Sequence, residues 1–460
     1  MKIVLINPPS QTPSLLLLRV MRSYNAPLGL AYLAAAARRA GHKVKIFDPE
    51  AGGMSLERMW KEAAEFGPDL VGVTSVTPNF PTARQLALEA KRRFNCLVIM
   101  GGPHVNALPR STLLAVPGLD AVIRGEGEVP LLALAGDFDA SGKVDFSKIP
   151  GAAFLERWKY KENPCPELIA DLDTLPFPAR DLLDLSLYYP SRWFFGGKKS
   201  TTLLTSRGCP GQCTFCANIC MGRRFRPHSP GRVVEEIRSL LKTHGLRHFN
   251  IYDDCFTANA RRAAEICDRI TAEKLEISWD AMGRVNTLLD ETLILKMKKA
   301  GFRQVVLGIE TGSQRLLDLM RKGTTLAMAE ECCAKLRRHG ILYSNSFIIG
   351  NEGETEETIL ETIAFAKKLK SDLVTFVVMI PFPGTPLFDK YFKEYDSPDT
   401  DWTNWCSRFP DRPYAPRQTA LSMEDLMRFR NIADSRFHSD PGNIWRNLIA
   451  VARNPRVLFK

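Results

Sequence analysis

The sequence predicts an α/β protein: a doubly wound parallel sheet, then six further strand–helix units, then a small mainly helical carboxyl-terminal region. Three observations predict it. Short apolar runs alternate with helical patterns over the first 135 residues. The rhythm breaks over 137–200, where Pro150, Pro164, Pro166, Pro176, Pro178 and Pro190 crowd. It resumes from Thr201 to about Pro386. The expected units are therefore 1–136, a Pro-rich linker at 137–200, 201–390 and 391–460.

In the first unit the strands are expected at Ile3–Asn7, Val44–Asp48, Leu70–Ser75, Leu97–Gly101 and Ala121–Arg124. Leu28–Ala40, Leu56–Phe66, Pro81–Phe94 and a weaker stretch at Ser111–Ala115 read as helices. Ligands of such sheets bind beyond the carboxyl ends of the strands. The segments there are small and polar: Asn7-Pro8-Pro9-Ser10, Thr74 to Asn79, Gly101-Gly102-Pro103-His104 and Gly125-Glu126-Gly127-Glu128. Turn chemistry needed by any such fold accounts for them equally well. No G-x-G-x-x-G follows the first strand, which disfavours a dinucleotide. In the linker, Leu175-Pro176-Phe177-Pro178 reads as extended chain, because proline disfavours helix for itself and its predecessor.

The 460 residues are 45% hydrophobic and 25% charged, which excludes a disordered chain, a collagen-like chain and a coiled coil. Lys and Arg number 62 against 51 Asp and Glu, a net charge of +11. That balance suits an anionic substrate, nucleic acid or membrane surface and selects none of them. The amino terminus lacks the order of a secretion signal, and no apolar run reaches the ~18 residues of a membrane span, so a cytoplasmic protein is expected. Pro441 to Lys460 carries four basic residues and no acid. There, Trp445, Leu448, Ile449 and Val451 share a helical spacing flanked by Arg446 and Arg453. Such a helix suits either an anionic membrane surface or docking on its own domain.

Eleven cysteines without a secretion signal argue for reduced thiols, metal ligands or catalysis. Cys209, Cys213, Cys216 and Cys220 fall within twelve residues. Thiolates at this density imply zinc or an iron–sulfur cluster. Structural zinc commonly uses two C-x2-C knuckles, and here only Cys213 and Cys216 form one. Counting Cys220 gives C-x3-C-x2-C-x3-C, which is not the ferredoxin run. The strand Thr201–Thr205 leads directly into these cysteines, and Arg223-Arg224-Phe225-Arg226 follows them. Further strands are expected at Phe249–Tyr252, Glu276–Trp279, Gln304–Leu307, Tyr343–Ile349 and Leu373–Met379, each ending in a polar or Gly-rich tip.

C-x3-C-x2-C, with Phe215 before its last cysteine, resembles the signature of radical S-adenosylmethionine enzymes. Asn7-Pro8-Pro9, Pro27-Leu28-Gly29-Leu30, Gly101 to His104 and Gly125 to Glu128 resemble the Rossmann-like cobalamin-binding domain ahead of many of them. The resemblance implies a partial (β/α)6 TIM-type barrel over 201–390. It implies a [4Fe–4S] cluster held by Cys209, Cys213 and Cys216, with Cys220 not a ligand. The open iron would bind S-adenosylmethionine, whose reductive cleavage gives a 5′-deoxyadenosyl radical. Glu310 in Gly308-Ile309-Glu310, and Asp253 and Asp254 after Tyr252, match positions that contact S-adenosylmethionine. Arg284 after the third strand is suited to pair with the methionine carboxylate, since arginine binds carboxylates bidentately, and a helix cap or surface ion pair is the alternative for each. The loop Gly350-Asn351-Glu352-Gly353-Glu354 departs from the commoner form with Leu and Pro. Cobalamin would lie against Asn7, Ser75, Gly101, Gly102, His104, Gly125 and Glu126. No D-x-H-x-x-G loop is present, so cobalamin is expected base-off without a histidine on cobalt.

That resemblance implies methyl transfer to an unactivated carbon, occasionally to phosphorus, of a small-molecule or lipid-like substrate. Cyclisation or another radical rearrangement with the same cofactors is the alternative. A cobalamin sensor with a structural metal is the non-enzymatic one, and it leaves Glu310 and the Gly350 loop unexplained. A methylthiotransferase needs cluster cysteines in its first domain, and only Cys96 lies in residues 1–150. The expected partners are the substrate and an external one-electron reductant such as flavodoxin or ferredoxin, without nucleic acid.

Overall fold

The computed structural model describes residues 1–9, 24–188, 200–218, 221–403, 405 and 414–442. Cys220, Trp193 to Phe195 and the basic carboxyl-terminal stretch from Asn443 lie outside the described residues. Strands β1 (Lys2–Ile6), β2 (Lys43–Phe47), β3 (Leu70–Thr74), β4 (Leu97–Gly101) and β5 (Ala121–Ile123) run parallel in the order β2-β1-β3-β4-β5. Side chains alternate between faces along each strand. Val4, Ile6, Val71, Val73 and Met100 share a core with Met59 and Trp60 of α2 (Leu56–Phe66) and Phe80 and Ala83 of α3 (Phe80–Arg93). Ile3, Leu5, Leu70 and Ile99 pack on the other side against Leu30 and Ala34 of α1 (Leu28–Arg39) and Leu131 and Leu134 of α4 (Glu128–Ser141). Both faces are covered, as a parallel sheet requires. Ser55 caps α2 by accepting from the Arg58 amide, and Gly67 ends it at φ 64°. The strand order reverses between β1 and β3, which is where such folds open a ligand crevice.

The linker is not free of strands. β6 (Ala152–Glu156) and β7 (Lys159–Glu162) form an antiparallel hairpin that extends the first sheet to seven strands. Arg157 and Trp158 make the turn with φ 48° and 68°. Both positions favour glycine or asparagine, so the usual hairpin signal is absent from the sequence.

The second sheet holds β8 (Ser200–Leu203), β11 (His248–Ile251), β12 (Ser278–Gly283), β13 (Phe302–Glu310), β14 (Leu342–Ile349) and β15 (Leu373–Val378) in chain order, all parallel. This is the six-stranded partial barrel. A separate ribbon, β9 (Ser206–Arg207) against β10 (Arg226–Pro227), stands between β8 and β11. Leu203, Phe249, Trp279, Val305, Tyr343 and Phe376 face the surrounding helices. On the opposite side Thr202, Asn250, Asp280 and Gln304 form one register row across four strands. β12 runs Ser278–Gly283, starting later than the expected Glu276 and continuing past Trp279, and Gly301 packs so close to the residue before it that a Cβ there would sit 2.2 Å from the Ile277 carbonyl. Helix α5 (Met423–His438) closes the barrel's side with Leu426, Phe429, Ala433 and Phe437 in the same core.

Trp279 is 1% exposed, donates its indole N–H to the Ala300 carbonyl at 2.9 Å and lies between Phe256 and Phe302. Trp279→Ala is expected to cost the barrel about 3–5 kcal/mol. Denaturant unfolding followed by fluorescence and by circular dichroism checks this.

Candidate functional site

The cysteine loop is tied at its base before any metal is considered. Asp253, the second residue after β11, is fully buried and accepts from the Thr205 amide at 2.6 Å and from the Thr205 and Ser206 hydroxyls at 2.5 and 2.6 Å. Asp254 accepts from the Gly208 amide at 3.1 Å. These acids hold the chain immediately ahead of Cys209. Asp253 thus spends its carboxylate on the loop, a different role from the ligand contact expected of it. Gly208 has φ 83°, and a Cβ there would lie 2.3 Å from the Arg224 carbonyl, so only glycine lets the loop close.

Arg284, just past β12, donates to the Cys213 sulfur at 3.4 Å and to the Lys322 carbonyl. Gly211 lies so close that a Cβ would meet the Arg284 guanidinium at 2.8 Å and the Cys209 sulfur at 3.4 Å. The Cys216 thiol, exposed on one side, is pushed up to about 11 by desolvation and by the charges of Cys213, Asp254 and Cys209. A metal centre relieves that opposition at Cys216, since coordinating thiols are deprotonated outright. Among the described residues no three His, Cys, Asp or Glu side chains converge on a single ion. A cluster that gives each thiolate its own iron needs no such convergence, and the donor set fits one.

Glu310 ends β13 in the left-handed region at φ 73°, next to a register shift against β14. Its buried carboxylate pairs with the equally buried Lys322. The pair folds back over Gly308, where a Cβ would meet the Glu310 carboxylate at 2.2 Å. Glu310 thus already holds one ammonium, that of Lys322. Lys322, which also lies 5.8 Å from the Phe215 ring centroid, escapes sequence reading because the twelve residues back to Glu310 match no helix or strand spacing. In the Gly350 loop, Glu354 accepts from the Gly350 and Asn351 amides, and Gln418 donates to the Gly350 carbonyl at 2.8 Å. The structure brings Asp254, Arg284, Glu310 and the three cysteines to one end of the barrel.

A cavity of about 440 Å³ lies where the carboxyl edge of the first sheet meets the barrel. Leu5, Leu28, Tyr32 and Ile99 line it from the first domain, and Thr202, Leu204, Arg207 and Tyr252 from the second. Gly101, Gly102, Gly125 and Glu126 line it too. Gly102 has φ 97°, and a Cβ there would sit 2.7 Å from the Ser75 carbonyl. Gly72 and Gly127 would each put a Cβ 3.0 Å from a leucine methyl. Bare backbone on the floor and apolar walls fit part of a large planar cofactor such as cobalamin.

Three residues expected at the cofactor do not line this cavity. Asn7 donates to Asp48 at 3.1 Å. Ser75 is fully buried and fixes the glycine turn, its amide donating to the Gly101 carbonyl at 2.9 Å. His104 is stacked on Phe80 at 4.0 Å, meets Trp402 edge-on at 5.1 Å and contacts the Thr77 hydroxyl at 3.2 Å. Burial pushes His104 down to about 3. Trp402 comes from a segment nearly 300 residues away, a packing partner no loop motif foretells.

His104→Ala is expected to lower the unfolding midpoint and leave the Co(II) paramagnetic resonance of bound cobalamin unchanged; loss of a nitrogen splitting would contradict the placement. Lys322→Met is expected to destabilise by about 3–5 kcal/mol, because it strands a buried carboxylate. Adding Glu310→Gln should recover most of that loss while S-adenosylmethionine binding, read by equilibrium dialysis, disappears.

The model of the Radical SAM superfamily matches residues 203–366, and that of the B12 binding domain matches 15–135. An uncharacterised methyltransferase of Pyrococcus horikoshii is 38% identical over 391 residues, covering 85% of this chain and 83% of that one. The anaerobic magnesium-protoporphyrin IX monomethyl ester cyclase of Cereibacter sphaeroides is 30% identical over 374 residues, covering 79% of this chain and 60% of the relative. The radical S-adenosylmethionine methyltransferase TsrM of Kitasatospora setae, solved with cobalamin and a [4Fe–4S] cluster, superimposes with TM-score 0.70 at 21% identity, over 85% of this chain and 75% of that chain, and shares the fold. The cofactors are therefore a [4Fe–4S] cluster, S-adenosylmethionine and cobalamin. The chain belongs to the radical S-adenosylmethionine superfamily, among the enzymes that carry a B12 binding domain ahead of the barrel.

Proposed function

We propose that this enzyme transfers a methyl group to an unactivated carbon of an apolar small molecule. One observation carries the reading: Tyr252 lines the interdomain cavity, and the next two residues, Asp253 and Asp254, hold the cysteine loop. A methyl donor and a radical source would therefore face one space. When bound, the cluster with S-adenosylmethionine supplies a 5′-deoxyadenosyl radical and cobalamin supplies the methyl group. The protein's own part is to place and insulate. Arg284 and Lys322 bring positive charge to the thiolates and to Glu310. Asp253 keeps the loop from shifting, and the apolar cavity walls keep water away.

The substrate class rests on the barrel wall. Tyr252 and Met282 follow paired residues of β11 and β12 and remain 48% and 45% exposed. An exposed aromatic lining the cofactor cavity, with an exposed methionine on the neighbouring strand, suits an apolar molecule, lipid-like or ring-shaped. Cys216, Arg223 and Arg224 are exposed on the outer side of the same loop. A basic rim beside the cluster suits an acidic one-electron donor such as flavodoxin or ferredoxin. None of the described helices is long and apolar enough to cross a membrane.

Comparing metabolites and lipids with and without the gene should reveal a compound that gains one methyl group. With that compound, dithionite-reduced enzyme is expected to form S-adenosylhomocysteine and 5′-deoxyadenosine in equal amounts. Formation of 5′-deoxyadenosine alone, with ring closure in the product, would replace methyl transfer by cyclisation.

A further inference from the structure

Four charged side chains are sealed into the seam between the two domains. Arg207 donates to Glu126 at 2.7 Å and to Glu128 at 2.6 Å. Arg226 donates to Glu126 at 2.9 Å and to the carbonyls of Ile169 at 2.6 Å and Met221 at 2.9 Å. Glu126 also accepts from the Ile169 amide at 2.7 Å. None of the four side chains is more than 7% exposed. Burying charge is costly, and apolar residues of similar volume would join two surfaces at least as well. Adhesion alone does not account for the arrangement.

What the partners belong to does account for it. Glu126 in the loop and Glu128 at the start of α4 both line the cofactor cavity. Arg207 stands two residues before Cys209, and Arg226 lies on the paired strand that closes the cysteine loop. The Arg207 guanidinium also lies 5.2 Å from the ring centroid of Tyr32, another cavity wall. The Tyr32 hydroxyl in turn meets His228, just past β10, at 3.5 Å. Two walls of the cavity are thus keyed to both strands at the base of the cysteine loop.

We infer that Arg207 and Glu126 are positioning residues that couple filling of the cobalamin cavity to ordering of the cysteine loop. The coupling rests on the cofactor assignment and is independent of whether the reaction methylates or cyclises. Coupling between sites is reciprocal, so a loaded cluster tightens cobalamin by the factor by which cobalamin steadies the loop.

Hydrogen–deuterium exchange of the full-length, cluster-loaded protein, with and without hydroxocobalamin, tests this. In the wild type, cobalamin should slow exchange in residues 26–33 and also in 206–228. Titration should show cobalamin binding on the order of tenfold tighter to cluster-loaded than to cluster-free protein. Arg207→Lys keeps the charge and loses the two-armed contact. That variant and Glu126→Gln should keep the protection of 26–33, lose that of 206–228 and abolish the affinity difference. Arg180→Lys weakens a buried pair between the linker and the barrel, Arg180–Glu236, and should lower stability with the coupling intact. If Arg207→Lys does not fold, Glu128→Gln, which leaves the Glu126 contact, should show the same losses in weaker form. Protection of 206–228 persisting in the variants, its absence in the wild type, or equal loss in Arg180→Lys would overturn the inference.

Discussion

The parallel strands of two sheets in this chain point their carboxyl ends at one seam, and the site depends on that meeting. In a parallel α/β sheet the strand ends carry the loops whose backbone can approach a ligand. A single sheet would offer one such edge. Here Gly101, Gly102 and Gly125 come from the first and Tyr252, Arg284 and Glu310 from the second. The buried contact of Arg207 with Glu126 and Glu128 joins a loop of one cradle to the strand that leads into the cysteine loop of the other.

Electrostatics at the seam follows from burial. Three thiols and several carboxylates crowd around one barrel end, and desolvation together with their neighbours' charges pushes Cys216 and Asp254 up. The protein offsets part of this with Arg284 beside Cys213 and Lys322 beside Glu310. The remainder is the opening for a metal cluster. The acids differ in what they hold. Asp253 binds backbone and hydroxyls, Glu310 faces an ammonium, and Glu126 bridges two guanidiniums. Residue type alone does not separate these roles; the donor each oxygen meets does.

Glycine is informative here at a few positions only. Gly208, Gly102 and Gly308 each stand where a Cβ would strike backbone or a buried carboxylate. All three border the cysteine loop, the cavity or the Glu310 pair, so the close approaches concentrate where groups must converge.

The sequence by itself determined the order of strands and helices, the six-unit barrel and the cysteine spacing, because these are local periodicities and short offsets along the chain. Strand rhythm also located the tips that carry Glu310, Arg284, Gly101 and Gly125, and the resemblance of those tips to family motifs is what singled out Glu310 and the two glycines. Four outcomes needed the tertiary structure. Lys322 became the partner of Glu310, Asp253 became a loop anchor, Ser75 and His104 withdrew from the cavity, and β6–β7 joined the first sheet. In the first three, the decisive contact joins residues that no backbone period relates. His104 is held by Trp402, and Arg207 by Glu126, 81 residues away. Composition records that such side chains exist; only folding selects which of them meet, because burial forces each polar group to find a partner among whatever the packing brings within reach.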